Sequence, residues 1–139
     1  MLLLLAAFLL GCVAGLRTFT APAVLWLIRH TSLLAYLLAV AALAEYLVDL
    51  LPNVPARTSL GPLSARIVSG AFCGFGLAWS NGTAAIVTAA VLGAFGAVVG
   101  AYGGLALRTR AIAVFGRVPA ALAEDFVAIL GAIAIVVYA

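Results

Sequence analysis

The sequence has very little charge. Its 139 residues include seven arginines, no lysine and four acidic residues, so that only 8% of the chain is charged and 68% is hydrophobic. A soluble globular domain carries about 25% charged and roughly 45–50% apolar residues. A soluble domain is therefore excluded, because this chain cannot cover a water-facing surface. The composition instead predicts a membrane protein, and at ~20 residues per span the length suffices for about four to six helical crossings.

The chain also lacks the residue sets on which common enzymes and metal sites depend. It has one histidine, His30, and two cysteines, Cys12 and Cys73, which lie far apart in apolar segments. These residues make no Cys/His metal spacing, and the histidine has no nucleophile beside it. The arginines are spread along the chain and form no clustered basic surface for nucleic acid. We therefore predict no enzymatic activity, no metal or other cofactor, and no nucleic-acid partner.

The first apolar segment resembles the core of a signal peptide. Residues 2–16 are almost wholly apolar, and Leu9-Leu10-Gly11-Cys12 loosely matches a lipoprotein cleavage box. The basic region that precedes such a core is absent, because leucines follow Met1 directly. We expect an uncleaved first helix, with a lipoprotein as the alternative.

Polar and turn-forming residues divide the chain into apolar segments. After the first segment, Arg17-Thr18-Phe19-Thr20 interrupts the pattern, and Thr20 as N-cap with Pro22 near the first helical position predicts a short second helix. The predicted fold is all-α: a single integral membrane domain, residues 1–139, with about five spans and this short extra helix. The expected apolar segments are 2–16, 21–28, 33–51, 63–79, 83–107, a short piece at 111–115, and 119–139.

The arginines predict an orientation. In a five-span topology, Arg57, Arg108, Arg110 and Arg117 fall on one side of the membrane and Arg29 falls on the other. Because positively charged loops face the cytoplasm, the N-terminus is predicted inside and the C-terminus outside the inner membrane.

A weak internal repeat is present. Gly15-Leu16-Arg17-Thr18 is echoed by Ala106-Leu107-Arg108-Thr109, and Leu43-Ala44-Glu45 by Leu122-Ala123-Glu124. In the five-span topology the two halves run in opposite senses, as in the inverted repeats of transporters. The spacing between arginine and glutamate differs between the copies, so chance similarity between Ala/Leu-rich segments is the alternative.

Glycines recur at intervals of four residues, in the sets Gly11/Gly15, Gly70/Gly74 and Gly96/Gly100/Gly104. On a helix this spacing places the glycines of each set on one face, where another helix can approach closely. We predict dense helix packing or a homodimer, with a glycine-lined path for a solute as the alternative.

The ionisable residues inside apolar segments are the candidate site. An isolated charge in the bilayer core costs about 2.5–3.5 kcal/mol on insertion scales, so these residues should face the bundle interior and pair with one another. Arg17 is the exception, since the five-span topology places it at the far end of the first helix, away from every acid; it would bind an anion or extend to the outer headgroups. The candidate residues are Arg17, Glu45, Asp49, Arg66, Glu124 and Asp125.

The sequence resembles the DUF4126 family of uncharacterised bacterial membrane proteins. The similar stretches are 15–22, 45–49, Leu51-Pro52, Pro55 with Arg57, 66–70, the glycine-rich run 93–104, and Glu124-Asp125. They span nearly the whole chain in order. The resemblance implies a small multi-pass protein of the bacterial inner membrane and supplies no activity.

Two functions follow from the residues. The first is a transporter or channel for a small ion or polar solute, with Glu45, Asp49, Arg66 and Glu124 lining its site and Arg17 at the opposite mouth. The second is a non-catalytic scaffold, in which a salt-bridged collar on the cytoplasmic side holds the helices together. In this collar the four acids pair with Arg57, Arg66, Arg108, Arg110 and Arg117. A membrane enzyme acting on lipid headgroups is a third and weaker alternative, because no metal-ligand or nucleophile–base set is visible. The expected partners are the lipid bilayer and a second copy of the chain.

Overall fold

A computed structural model describes residues 1–56 and 58–139 and contains six α-helices in that part of the chain. Arg57, which contributed to the predicted orientation and to the similarity with DUF4126, lies outside the described residues. The helices are α1 (Leu2–Leu16), α2 (Thr20–Arg29), α3 (Leu33–Asp49), α4 (Leu60–Ser80), α5 (Ile86–Phe115) and α6 (Arg117–Tyr138).

The predicted break after the first segment is confirmed. Arg17 ends α1 with extended backbone (φ −138°, ψ 118°), and α2 begins three residues later. Thr20 is not the N-cap that the sequence predicted: it is the first helical residue, and Phe19 precedes it without a side-chain cap. The hydroxyl of Thr20 instead meets the hydroxyl of Tyr46 on α3, 2.6 Å away.

The fifth helix is longer than predicted. The sequence analysis ended this segment near Arg108-Thr109-Arg110 and made 111–115 a separate piece, but α5 continues to Phe115. Charged residues do not interrupt a helix by themselves, and residues 105–115 contain neither glycine nor proline. The helix ends at Gly116, whose φ of 87° lies in the left-handed region that glycine adopts without steric cost.

Helices that follow one another along the chain alternate in direction, and this alternation includes α1 and α2. Contacts of Gly11 with Gly93 and of Gly15 with Ala97 show that α1 and α5 run parallel. In contrast, Arg17 pairs with Asp125 while Val13 lies beside Gly131, so α1 and α6 run antiparallel.

Both ends of the chain therefore lie at the same end of the bundle. The five-span topology placed them at opposite ends, because it did not treat α2 as a returning helix. The sides of the membrane that they face stay a prediction. The inverted repeat is not confirmed either, since its first and second copies begin on helices that run in the same direction.

Three helices, α4, α5 and α6, are long and apolar enough to cross a membrane, with mean hydropathies of 1.2, 1.8 and 2.2. Two further apolar helices, α1 and α2, are shorter. At 1.5 Å per residue they are about 22 and 15 Å long, less than the ~30 Å of a bilayer core. The five full spans of the sequence analysis are thus not confirmed.

Glycine faces bring α1, α4 and α5 into direct backbone contact, as the spacing by four predicted. A Cβ added to Gly100 would overlap the carbonyl of Cys12, and one added to Gly96 would overlap that of Phe8. Gly70 and Gly74 on α4 meet the backbone of α5 in the same way. Because these faces are occupied within one chain, the predicted homodimer would need a different surface.

We predict that Gly100→Leu destabilises the protein by about 1–3 kcal/mol, because the added side chain must displace the backbone of α1. Gly103→Leu is the matched control, since nothing lies within 4 Å of a Cβ at that position. Thermal unfolding of both variants in detergent measures the difference. Equal stability of the two variants would contradict the close approach of α1 and α5.

Candidate functional site

Seven charged side chains meet at one level of the bundle, where α1 ends. We call this group the charged cluster. It contains all four acidic residues of the chain, and its side chains are between 2% and 19% exposed. Its members are Arg17, Glu45, Asp49, Arg66, Arg108, Glu124 and Asp125.

Arg17 lies at the centre of the charged cluster. Its Nη2 is 3.1 Å from Asp49 Oδ2 on α3 and also contacts Asp125 Oδ1 on α6. Its Cζ lies 5.3 Å from the centre of the Tyr46 ring, and its side chain is 2% exposed. The prediction that Arg17 is far from every acid is therefore wrong, for the same reason as the predicted termini: α1 ends at the level of the acids.

Glu45 binds the start of α2. Its two carboxylate oxygens accept the backbone N–H groups of Thr18, at 2.9 Å, and Phe19, at 3.0 Å. Both N–H groups lie just before Thr20, the first residue of α2, and so close to the positive end of the helix dipole, where a carboxylate is a favourable ligand. Arg66 adds a longer ion pair, with Nη2 3.8 Å from Glu45 Oε1. Glu45, Asp49 and Arg66 thus pair with opposite charges, as the cost of a charge in the bilayer predicted.

Arg108 connects three helices, and the list of candidate residues omitted it. Its Nη2 lies 2.8 Å from Asp49 Oδ2, and its Nη1 lies 3.2 Å from Glu124 Oε2. Asp49 thus bridges Arg108 and Arg17. The sequence contained one indication of its importance, because Arg108 occupies the same position in the second copy of the weak repeat as Arg17 does in the first.

Uncharged polar groups fix the α1–α2 turn. Ser69 Oγ donates to the carbonyl oxygen of Thr18, and the Thr20 and Tyr46 hydroxyls share a hydrogen bond. Tyr46 was also missed, although it precedes Asp49 by three residues and so lies on the same helix face. These contacts satisfy polar groups that would otherwise be buried without partners.

A cavity of about 620 Å³ lies beside the charged cluster. Its wall includes five members of the charged cluster and Arg117, the first residue of α6. The five members are Arg17, Glu45, Asp49, Arg66 and Arg108. Glu124 and Asp125 do not line it. The α1–α2 turn, α3, the loop that follows α3, the start of α4 and the last turns of α5 complete the wall. Their residues include Thr18, Phe19, Val48, Val54, Pro55, Pro62, Leu105 and Ile112.

Within residues 1–56 and 58–139, no group of three or more His, Cys, Asp or Glu side chains is arranged to hold a metal ion. Neither a family model, nor a curated protein, nor a solved structure matches this chain. The resemblance to DUF4126 therefore stays a prediction, and the site must be interpreted from its own chemistry.

We predict that Arg17→Met lowers the free energy of unfolding by about 3–5 kcal/mol, because it leaves Asp49 and Asp125 without their central cation. The double variant Arg17→Met/Asp125→Leu should recover part of this loss, since it removes one stranded charge together with its partner. Arg110→Met, at an exposed position on α5, is the control and should stay within ~0.5 kcal/mol of wild type. A loss in Arg17→Met no larger than the control's would show that these pairs do not stabilise the fold.

Proposed function

We propose that this chain is a multi-pass inner-membrane protein that moves a small ion or polar solute through the cavity beside the charged cluster. The observation that carries the proposal is that five cluster residues line a cavity of about 620 Å³. A group of charges that only held helices together would not need such a cavity. Guanidinium and carboxylate groups on a cavity wall can instead replace the hydration of a polar solute.

The broken helix pair supports this function. The turn between α1 and α2 lies deep in the bundle, because neither helix is long enough to cross a bilayer alone. Irregular backbone at such a depth is tolerated where it is buried in protein or lines a cavity, and Thr18 and Phe19 line this one. Secondary transporters use interrupted helices in this way, with helix ends pointing at the site.

Passage through the bundle would require a conformational change. Between the turn and the chain ends lies a packed apolar core, in which Leu10, Leu25, Leu77 and Val136 are fully buried. Under this proposal the cavity opens at the end away from this core, as in one state of an alternating-access carrier. The predicted homodimer stays part of the proposal.

The distribution of arginine gives the proposed orientation. The end of the bundle at which the cavity is found carries Arg108, Arg110 and Arg117. The other end carries Arg29, which donates a hydrogen bond to the carbonyl oxygen of Val136. The rule that positive loops stay inside places the cavity on the cytoplasmic side. Both ends of the chain then lie on the outer side.

A scaffold is the second candidate, and one observation favours it. Helix α3 packs mainly on α2, and its only buried residues are Ala35 and Ala42. Its attachment to α1, α4 and α5 depends on Glu45 and Asp49. The charged cluster therefore has a structural role under either function, and only a flux measurement separates the two.

We predict that wild-type protein in liposomes conducts or carries at least one solute from a panel of small anions, cations and neutral polar compounds. Ala44→Phe should reduce this flux about tenfold or more, since ~1.4 kcal/mol of added barrier is a factor of ten. Ala44 lines the cavity without carrying charge. The matched control is Ala123→Phe, at an exposed alanine that also precedes a glutamate but lies outside the cavity wall.

Both variants must keep the thermal stability of the wild type, because a loss of flux could otherwise result from a loss of folded protein. Undiminished flux in Ala44→Phe would remove the cavity from the transport path. Wild-type liposomes without flux for any solute of the panel would favour the scaffold.

The orientation has its own test, by thiol labelling in a background without Cys12 and Cys73. Ser59→Cys, in the loop between α3 and α4, should react with an impermeant reagent only after the cells are permeabilised. Asn81→Cys and Tyr138→Cys should both react in intact cells, because the α4–α5 turn and the C-terminus lie at the same end of the bundle. Labelling of these two positions from opposite sides would contradict the alternating helix directions.

A further inference from the structure

Helix α3 has its polar attachments at one end. Along its length it packs mainly on α2. Residues 33–44 carry no charge, whereas Glu45, Tyr46 and Asp49, which contact other helices, all lie in its last five residues. The helix is therefore held by its packing on α2 and by polar contacts at the level of the charged cluster.

The apolar surface of α3 does not fix its position. Four large side chains along the helix, Leu37, Val40, Leu43 and Leu47, are between 58% and 68% exposed. In a bilayer these side chains contact acyl chains, and lipid gives helices no hydrophobic drive to associate. A movement of α3 exchanges one set of lipid contacts for another, so the polar contacts of its last five residues decide where it lies.

Space is present on two sides of α3. Ala41, Ala44 and Val48 line the cavity beside the charged cluster. Leu38 lines a second cavity, of about 410 Å³, whose wall on α4 includes Val68. In contrast, α1, α4 and α5 meet backbone against backbone. Of these helices, α3 is thus the one that can change position without displacing a packed backbone.

A hydrogen bond joins the end of α3 to α6. Arg117 Nη2 donates to the carbonyl oxygen of Leu51, 3.0 Å away. We call this hydrogen bond the latch. Leu51 continues the last turn of α3, because the N–H groups of Leu50 and Leu51 donate to the carbonyl oxygens of Leu47 and Val48. The latch therefore holds the last turn of α3 against the start of α6, at the wall of the cavity beside the charged cluster.

We propose that α3 is the gate that admits and releases the solute on the cytoplasmic side of this cavity. The helix pivots about its short connection to α2, residues 30–32, and its last turn moves away from Arg17, Arg108 and Arg117. The inference rests on the proposed function, since a gate needs a solute, and adds to it the helix that moves. It is carried by the one-ended polar attachment of a helix that lines the cavity.

Pulsed electron paramagnetic resonance between two spin labels in liposomes tests the movement. Leu47→Cys on α3 and Leu122→Cys on α6 are suitable labelling positions, because both side chains are exposed. We expect a shorter distance for the closed gate and a longer one for the open gate. Arg117→Gln removes the latch and should raise the ratio of open to closed gate about fivefold, or ~1 kcal/mol. Arg110→Gln, outside the cavity wall, should leave the ratio unchanged.

A second label pair tests the pivot. Ile28→Cys at the end of α2 and Tyr36→Cys in the first turn of α3 lie on either side of the short connection. This pair should give one distance, which Arg117→Gln does not change. All labelled proteins lack Cys12 and Cys73.

A crosslink tests the gate in transport. In Leu51→Cys/Arg117→Cys, a cleavable bifunctional thiol reagent should join α3 to α6 where the latch was. The crosslink should reduce flux in the panel of small anions, cations and neutral polar compounds about tenfold or more. Reduction of the reagent should restore the flux. The same double variant before crosslinking is the matched control, because it lacks the same two side chains but leaves α3 free.

The outcomes separate the gate from the proposed function. Equal distance distributions in Arg117→Gln and Arg110→Gln would overturn the gate, and so would a change at the pivot as large as that at the last turn. Undiminished flux in the crosslinked protein would disprove the gate and leave the proposed function intact. A fivefold rise of the longer distance in a protein that moves no solute of the panel would confirm the movement of α3 and disprove the proposed function.

Discussion

The ion pairs of Arg17 with Asp49 and Asp125 set the arrangement of the bundle at its polar end. A guanidinium group that is 2% exposed in an apolar protein is tolerated only with charged partners, since breaking a buried pair costs about 3–5 kcal/mol. One partner lies on α3 and the other on α6, so the end of α1 fixes the position of both helices along the bundle axis. Asp49 extends the constraint to α5 through Arg108, and Glu45 extends it to the start of α2.

The two ends of the molecule are consequently held by different forces. Towards the chain ends, α1, α4 and α5 pack backbone against backbone, and glycine and alanine leave no space for a solute. Lipid offers no hydrophobic drive for helix association, so such contacts depend on close van der Waals packing. At the level of the charged cluster the helices separate, and ion pairs replace that packing. The cavity is therefore a consequence of the way in which the polar end is held together.

The sequence predicted local features well and helix directions poorly. Residue spacing predicted the break at Arg17 and the glycine contacts of α1 with α5. The cost of a charge in lipid predicted the inward orientation of Glu45, Asp49 and Arg66. The direction of α1 relative to the later helices could not be predicted in this way. Hydropathy shows whether a segment is apolar, and loop charge shows where arginines lie. Neither shows whether a short helix turns back before it has crossed the membrane. That one error moved Arg17 to the wrong end and separated the termini. Arg108 was expected to pair with the acids of the collar, but it was not placed among the candidate residues of the site.

Solute binding and the attachment of α3 are linked by the same side chains. Asp49 Oδ2 lies 3.1 Å from Arg17 and 2.8 Å from Arg108, and both arginines also line the cavity. An anion that binds these guanidinium groups would compete with Asp49, which is one of the few links between α3 and the rest of the bundle. Since α3 packs mainly on α2, weakening that link would loosen α3 from α1, α5 and α6. A coupling of this kind needs the solute to bind the two positions of α3 with different affinity, and a solute that replaced Asp49 at Arg108 would supply that difference.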